Sequence, residues 1–395
     1  MDRRARIAGV GMSAFATPRK SRNYAALAEE AVKQALDDAG IELDDIEAAY
    51  VGYVYGDSTS GQSALYRVGM VGVPVVNVNN NCASGSSALW LARQAVASGA
   101  SECVLALGFE QMRPGAIVVQ WPDRPSPYDR FDEVLDTIVE AEADVPMAAR
   151  YFGAAGAAFA ERYAIGDETY AQIAVKARRH AANNPHAVFR DPVTVEEVLA
   201  SPTLFGPLTR LQACPPTCGA AAAVVCSADF ARTHGLDAPV EVLAQAMTTD
   251  RPETFSPADP VRLVGYDMAR RAADTVYEEA GVGPEDIAVC ELHDCFTTNE
   301  VISYEALRLT PEGTAAKFVA DGDNTYGGRV VVNPSGGLLS KGHPLGATGL
   351  AQCAELTWQL RGEADQRQVD GVRLGLQHNL GLGGACVVTL YGAVS

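Results

Sequence analysis

Apolar and polar positions alternate along the chain in blocks that predict strands and helices in a repeating order. Leu27, Ala28, Ala31, Val32, Ala35 and Leu36 recur at helical spacing, the apolar stripe of an amphipathic helix that ends in Ala35-Leu36-Asp37-Asp38-Ala39. Gly40 stops that helix, the acidic turn Asp44-Asp45-Ile46 follows, and Ala48-Ala49-Tyr50-Val51-Gly52 reads as a strand. The order returns in the second half. There a helix ends in Val276-Tyr277-Glu278-Glu279-Ala280, Gly281 stops it, and Glu285-Asp286-Ile287 leads into a strand over 288–292. Gly85-Ser86-Ser87-Ala88-Leu89-Trp90-Leu91-Ala92-Arg93 then opens a helix before a strand at 102–107. Gly346-Ala347-Thr348-Gly349-Leu350-Ala351-Gln352 opens its counterpart before 372–377. Closing strands follow at 219–225 and 384–389.

The repeat predicts a duplicated α/β fold with helices held between two sheets. Residues 1–110 plus 213–235 make the N-terminal half, and 236–395 the C-terminal half. Residues 111–212, rich in Pro, Asp and helical stretches such as 169–182, form an inserted domain.

Composition narrows the function. Of 395 residues, 48% are hydrophobic and 20% charged. No apolar run approaches the roughly 18 residues of a membrane span. The basic start, Met1 to Val10, runs straight into a strand and lacks a signal peptide's apolar region, and Ala393-Val394-Ser395 is no peroxisomal address. A net charge of −18 argues against nucleic acid but permits a small anionic substrate at a local basic patch. Nine cysteines, an odd number, predict free thiols in a reducing, cytoplasmic setting.

One of those cysteines stands out. Cys82 lies in Asn79-Asn80-Asn81-Cys82-Ala83-Ser84-Gly85, between a β-branched run and a helix start. Unpaired N–H groups and the helix dipole there favour a thiolate. A lone cysteine, by contrast, is ordinarily a small buried hydrophobe. The duplication supplies its counterpart, Asn333-Pro334-Ser335-Gly336-Gly337 through Lys341-Gly342-His343-Pro344-Leu345-Gly346, which brings His343 toward Cys82 at a pseudo-dyad. A Cys–His pair activates a nucleophile. His293-Asp294-Cys295-Phe296 follows the strand at 288–292, and residues two apart on a strand share a face. The same stretch reads as a helix cap, with Asp294 or Thr297 as N-cap and Glu300 completing a capping box. Gln377-His378-Asn379-Leu380-Gly381-Leu382-Gly383-Gly384 reads as a glycine-rich turn able to hold an oxyanion, or as a turn alone. Metal spacing is absent: Cys214 and Cys218 have no partner pair, and no phosphate-binding glycine motif follows a strand.

Taken together, Asn80-Asn81-Cys82-Ala83-Ser84-Gly85, His293-Asp294-Cys295-Phe296, Gly342-His343-Pro344, Gly346-Ala347-Thr348-Gly349 and His378-Asn379-Leu380-Gly381 resemble the thiolase superfamily. Within it they look most like the sterol-carrier-protein-X and lipid-transfer type, over nearly the whole chain. The resemblance implies a five-layered αβαβα fold with the insertion over the active site, and a homodimer or homotetramer. It implies coenzyme A as co-substrate, no permanently bound cofactor, and 3-oxoacyl-CoA substrates with branched, lipid or steroid side chains. Cys82 would be the nucleophile and His343 its base. His293 would help stabilise the thioester oxyanion, and Cys295 would replace the second catalytic cysteine that ordinary thiolases carry where this chain reads His378-Asn379-Leu380. The Cys82 N–H and the region of Gly381 would hold the tetrahedral oxyanion, with His378 as turn support. Cys218 stands where the type usually has Asp. With the chain ending at Ser395, no sterol-carrier lipid-binding domain is expected after it. Related folds include a steroid side-chain retro-aldolase with a small partner protein, a ketosynthase, and non-catalytic subunits.

Overall fold

The structure, a computed structural model, describes residues 2–70, 72–114, 121–140 and 145–394. Met1, Val71, Ser395 and the stretches 115–120 and 141–144 of the predicted insertion lie outside the described residues. Five strands come from the first half: β1 (Ala5–Met12), β2 (Ala48–Gly52), β3 (Val75–Val78), β4 (Cys103–Glu110) and β5 (Gly219–Ser227). Five come from the second: β6 (Val240–Thr248), β7 (Val289–Glu291), β8 (Val331–Val332), β9 (Leu374–Gly381) and β10 (Ala385–Ala393).

The hydrogen-bonded order is β3-β2-β4-β5-β1, then β6-β10-β9-β7-β8. In the first set β2 runs parallel to β3 and β4, while β4–β5 and β5–β1 are antiparallel. The second set repeats this: β7 is parallel to β8 and β9, with β9–β10 and β10–β6 antiparallel. The sets meet at a narrow seam, where β1 pairs with β6 only through Arg6 with Glu241 and Ile7 with Val240. Order and polarity are therefore those of one unit used twice.

The principal helices are α1 (Tyr24–Ala39), α2 (Ser84–Ser98), α3 (Met147–Tyr163), α4 (Asp167–Ala181), α5 (Tyr266–Ala280), α6 (Thr297–Ala306) and α7 (Thr348–Arg361). α1 packs on β1 and β5, and α5 on β6 and β10. α2 and α7 pack on each other and touch strands of both sets. The layers run helix, sheet, helix, sheet, helix, as the fold class predicted.

The strand β5 shows why the layers close. All nine of its residues are buried. Ala221, Ala223 and Val225 join the central core with α2 and α7, whereas Ala220, Ala222 and Val224 face α1. Cover on both faces explains its unbroken apolar sequence, and its small side chains let the helices approach. The predicted stripe of α1 is buried at every position from Leu27 to Leu36 that the pattern named. Gly40 and Gly281 both end their helices in the left-handed conformation. The acidic turns match atom for atom: Glu42 N–H donates to Asp45 (3.0 Å) and Gly283 N–H to Asp286 (2.9 Å).

At the pseudo-dyad the starts of α2 and α7 nearly touch. A Cβ added to Gly349 would lie 2.1 Å from Ser86 Oγ and 2.3 Å from Ser86 N, and one on Gly85 would lie 2.5 Å from the Gly346 carbonyl. Only glycine permits this approach.

Candidate active site

Cys82 occupies the turn from β3 to α2. Asn80 N–H donates to Ser84 Oγ (2.9 Å), Ser84 Oγ donates to the Asn81 carbonyl (2.6 Å), and Asn81 takes a φ of +51°. The Asn81 amide reaches Tyr128 Oη (2.7 Å) and the Leu382 carbonyl (3.0 Å), tying the cysteine's turn to the insertion and to the second half. The helix-start setting predicted a thiol below its ordinary pKa. Burial reverses that, pushing Cys82 up to about 12, with the Glu110 charge adding to the rise. The N–H groups of Cys82 and Leu382 pull the other way.

His343 follows a π-turn at Gly337–Lys341. Its Nδ1 lies 2.7 Å from Thr348 Oγ1, and burial lowers its pKa to about 3. His293 lies past the end of β7, which stops at Glu291, so His293 and Cys295 are not on a strand face as predicted. Irregular backbone nevertheless aims both into one cavity. Burial, then the neighbouring His343 and His378, hold His293 well below its ordinary pKa. The two imidazoles meet edge to face, centroids 5.1 Å apart. The Cys82 sulfur and a nitrogen of each ring all lie within 4.8 Å of one another. Cys295, 5% exposed, lines the same cavity, and burial pushes its thiol well above the usual value, with Cys214 and Cys82 next in effect. The Cys214 N–H donates to the Cys295 carbonyl (2.9 Å).

This cavity holds about 300 Å³. Away from the reactive groups its walls are apolar, among them Met112, Tyr128, Met147, Phe152, Leu345 and Leu382. Tyr128, Met147 and Phe152 belong to the stretch read as an insertion, and they line the site.

Two further expectations need correction. The predicted cap before α6 does not form: Asp294 instead accepts from the N–H groups of Leu338 (2.7 Å) and Leu339 (3.4 Å), and Glu300 pairs with Lys176 and Tyr304. His378 and Gly381 are not a turn but the body and last residue of β9; the turn is Leu382–Gly384. His378 supports His293 from behind, its Nδ1 accepting the His293 backbone N–H (3.4 Å), and a Cβ on Gly381 would strike the Asn80 carbonyl at 2.2 Å. Cys218 is fully buried, its thiol directed at the Met112 carbonyl (3.5 Å), and does not line the cavity.

One sulfur and two imidazoles at this spacing could also trap a thiophilic metal ion. They form a donor set that sequence spacing did not reveal, because its members come from three separate segments.

Family comparison agrees with the geometry. The thiolase N-terminal domain matches residues 6–229, and the thiolase C-terminal domain-like family matches residues 257–391. The chain belongs to the thiolase family. Among curated thiolase relatives, sterol carrier protein 2 of Homo sapiens is 53% identical, over 98% of this chain and 72% of its own length. An acetyl-CoA acetyltransferase of Methanothermobacter thermautotrophicus is 36% identical over 92% of each chain. Among solved structures, an Ltp2-ChsH2(DUF35) aldolase aligns with a TM-score of 0.84 at 26% identity, covering 99% of this chain and 98% of that one. Membership of this family supports an acyltransferase of the thiolase type. Among the described residues no helix is long and apolar enough to cross a membrane.

Sequence reasoning missed several groups around this thiolase's site. Thr348 and Asn379 stood inside quoted motifs without a role. Tyr128 carried no signal, since nothing in the insertion's sequence says which residue returns to Asn81.

Proposed function

We propose that this protein is a 3-oxoacyl-CoA thiolase in which Cys82 carries the acyl group. The convergence of Cys82, His293 and His343 at the base of an apolar cavity carries this reading. The resting pair is a neutral thiol beside a neutral imidazole. His343 accepts the Cys82 proton as sulfur attacks C3 of the substrate, and the Cys82 and Leu382 N–H groups face the forming tetrahedral oxyanion. The C2–C3 bond then breaks. The acyl group stays on Cys82, and the electron pair leaves as an acetyl- or propionyl-CoA enolate, stabilised by His293 and His343 and protonated by Cys295. Coenzyme A, giving its proton to the Cys295 thiolate, attacks the acyl–Cys82 thioester and releases a shortened acyl-CoA, and the departing Cys82 thiolate takes back the proton held by His343. The apolar walls suit branched, lipid or steroid side chains. A reducing cytoplasm fits nine free thiols; the family resemblance suggests a homodimer or homotetramer, and the halves and insertion would divide at 110, 212 and 235.

A second reading has its own support. The Ltp2-ChsH2(DUF35) aldolase covers this chain almost completely, and its name joins two components. A retro-aldolase would need no covalent acyl-enzyme. Mass spectrometry of the protein incubated with a 3-oxoacyl-CoA separates the two: thiolysis requires an adduct on Cys82 that Cys82→Ser abolishes. Cys295→Ser is expected to accept acyl groups from acyl-CoA yet fail in C–C cleavage. Full thiolysis by Cys82→Ser would overturn the proposal, and inactivity of the purified protein on all 3-oxoacyl-CoAs would favour a non-catalytic subunit.

A further inference from the structure

The two site histidines have opposite hydrogen-bond surroundings, and each set has a definite direction. At His343, Nδ1 meets Thr348 Oγ1 at 2.7 Å, and the Thr348 hydroxyl spends its proton on the Pro344 carbonyl at 3.0 Å. That donation leaves Thr348 to accept from His343, with the ring proton on Nδ1. Nε2 is left with no hydrogen-bond partner.

At His293 the direction is set further away. The Gly349 carbonyl can only accept, and Gln377 Nε2 lies 2.7 Å from it, so the Gln377 amide nitrogen must face this way. The same nitrogen donates to Ser86 Oγ (2.8 Å), and Tyr391 donates to the Gln377 oxygen. Ser86, already accepting, gives its proton to Asn379 Oδ1 (2.8 Å). The Asn379 amide nitrogen then donates to His293 Nδ1 (3.1 Å). Gln377, Ser86 and Asn379 are each buried, and Ser86 belongs to the other half of the chain. Gly349 without a side chain is what lets Ser86 reach this position.

We propose that the one-way relay Gln377–Ser86–Asn379 fixes His293 as the Nε2–H tautomer while Thr348 fixes His343 as the Nδ1–H tautomer. One imidazole thus presents a donor to the cavity and the other a lone pair. His343 is set as the base toward Cys82, and His293 as a neutral donor to an oxyanion. Asn379, Ser86 and Thr348 are positioning residues that select these roles without touching substrate. The depressed pKa of both rings, caused first by burial, keeps them neutral so that the tautomers persist. The catalytic meaning rests on the thiolase reading above; the tautomers themselves do not.

The test is a long-range proton–nitrogen NMR correlation on the full chain with 15N-labelled histidine, only six of which occur. Loss of signals in His293→Asn and His343→Asn assigns the two rings. The wild type is expected to show a bare Nδ1 in His293 and a bare Nε2 in His343. Asn379→Asp offers only acceptors, so His293 should switch to Nδ1–H, and kcat for thiolysis should fall about 100-fold while KM changes far less. Ser86→Ala, a smaller change, should leave His293 in a mixture of tautomers. The same tautomer in both wild-type rings, or an unswitched His293 in Asn379→Asp, overturns the assignment. A switched ring with unchanged kcat overturns the positioning role. If the wild type cleaves no 3-oxoacyl-CoA, the thiolase reading falls while the spectrum still decides the tautomers.

Discussion

Around Cys82 the groups that matter are titratable and shielded from water. Glu110 closes β4 beneath the site, accepting the N–H groups of Val54 (3.1 Å), Tyr55 (2.9 Å) and Gly346 (3.1 Å), yet burial raises its pKa from 4.5 to about 7. Between those values the folded chain holds a proton that the unfolded chain has lost. Its contribution to stability is therefore full below pH 4.5 and declines as pH rises through about 7. Glu110→Gln should flatten that decline. Urea unfolding at about pH 5 and about pH 8 should show the variant gaining on wild type at the higher pH. That Cys82, His293, Cys295 and His343 stand out was legible because they sit in short, unusual strings, and the fold brings the four to one cavity. Their protonation was not. A helix start lowers a thiol's pKa, but how much water is excluded depends on Met112, Phe152 and Leu345, which no local string brings to Cys82.

Elements that end in glycine were read well, because a left-handed cap is a local demand that Gly40 and Gly281 meet alone. The stretch 293–300 was misread for the opposite reason. Its polar groups have the spacing of a capping box, but Asp294 and Glu300 spend their bonds on the segment at 338–339 and on α4. The glycines where α2 meets α7 carry a sharper expectation. Gly349→Ala would place a methyl group against the Ser86 backbone, costing about 1–3 kcal/mol of stability by overpacking. Chemical denaturation measures the loss. Catalysis should suffer in the same variant, since Ser86 would be pushed off Asn379.

Across the whole molecule, buried charge joins α4 to α6. Lys176 on α4 pairs with Glu300 on α6, both nearly solvent-free, and also donates to the Val332 carbonyl (3.2 Å). Lys176→Met strands Glu300 and should cost about 3–5 kcal/mol, most of it recovered in Lys176→Met/Glu300→Leu. Denaturation of both variants tests this. The doubled strand order was legible from the matching turns, whereas the seam between β1 and β6 was not, for two residue pairs leave no periodic trace. The contact between α2 and α7 has a consequence for biosynthesis. Leu89, Ala92 and Val96 bury themselves against Leu350, Ala354 and Leu356 in a single core. A nascent chain leaving the ribosome therefore carries an unclosed greasy face until residues 348–361 have been translated. A fragment of residues 2–235 should aggregate when made alone and stay in solution when co-expressed with 236–394, which sedimentation of the lysate would show.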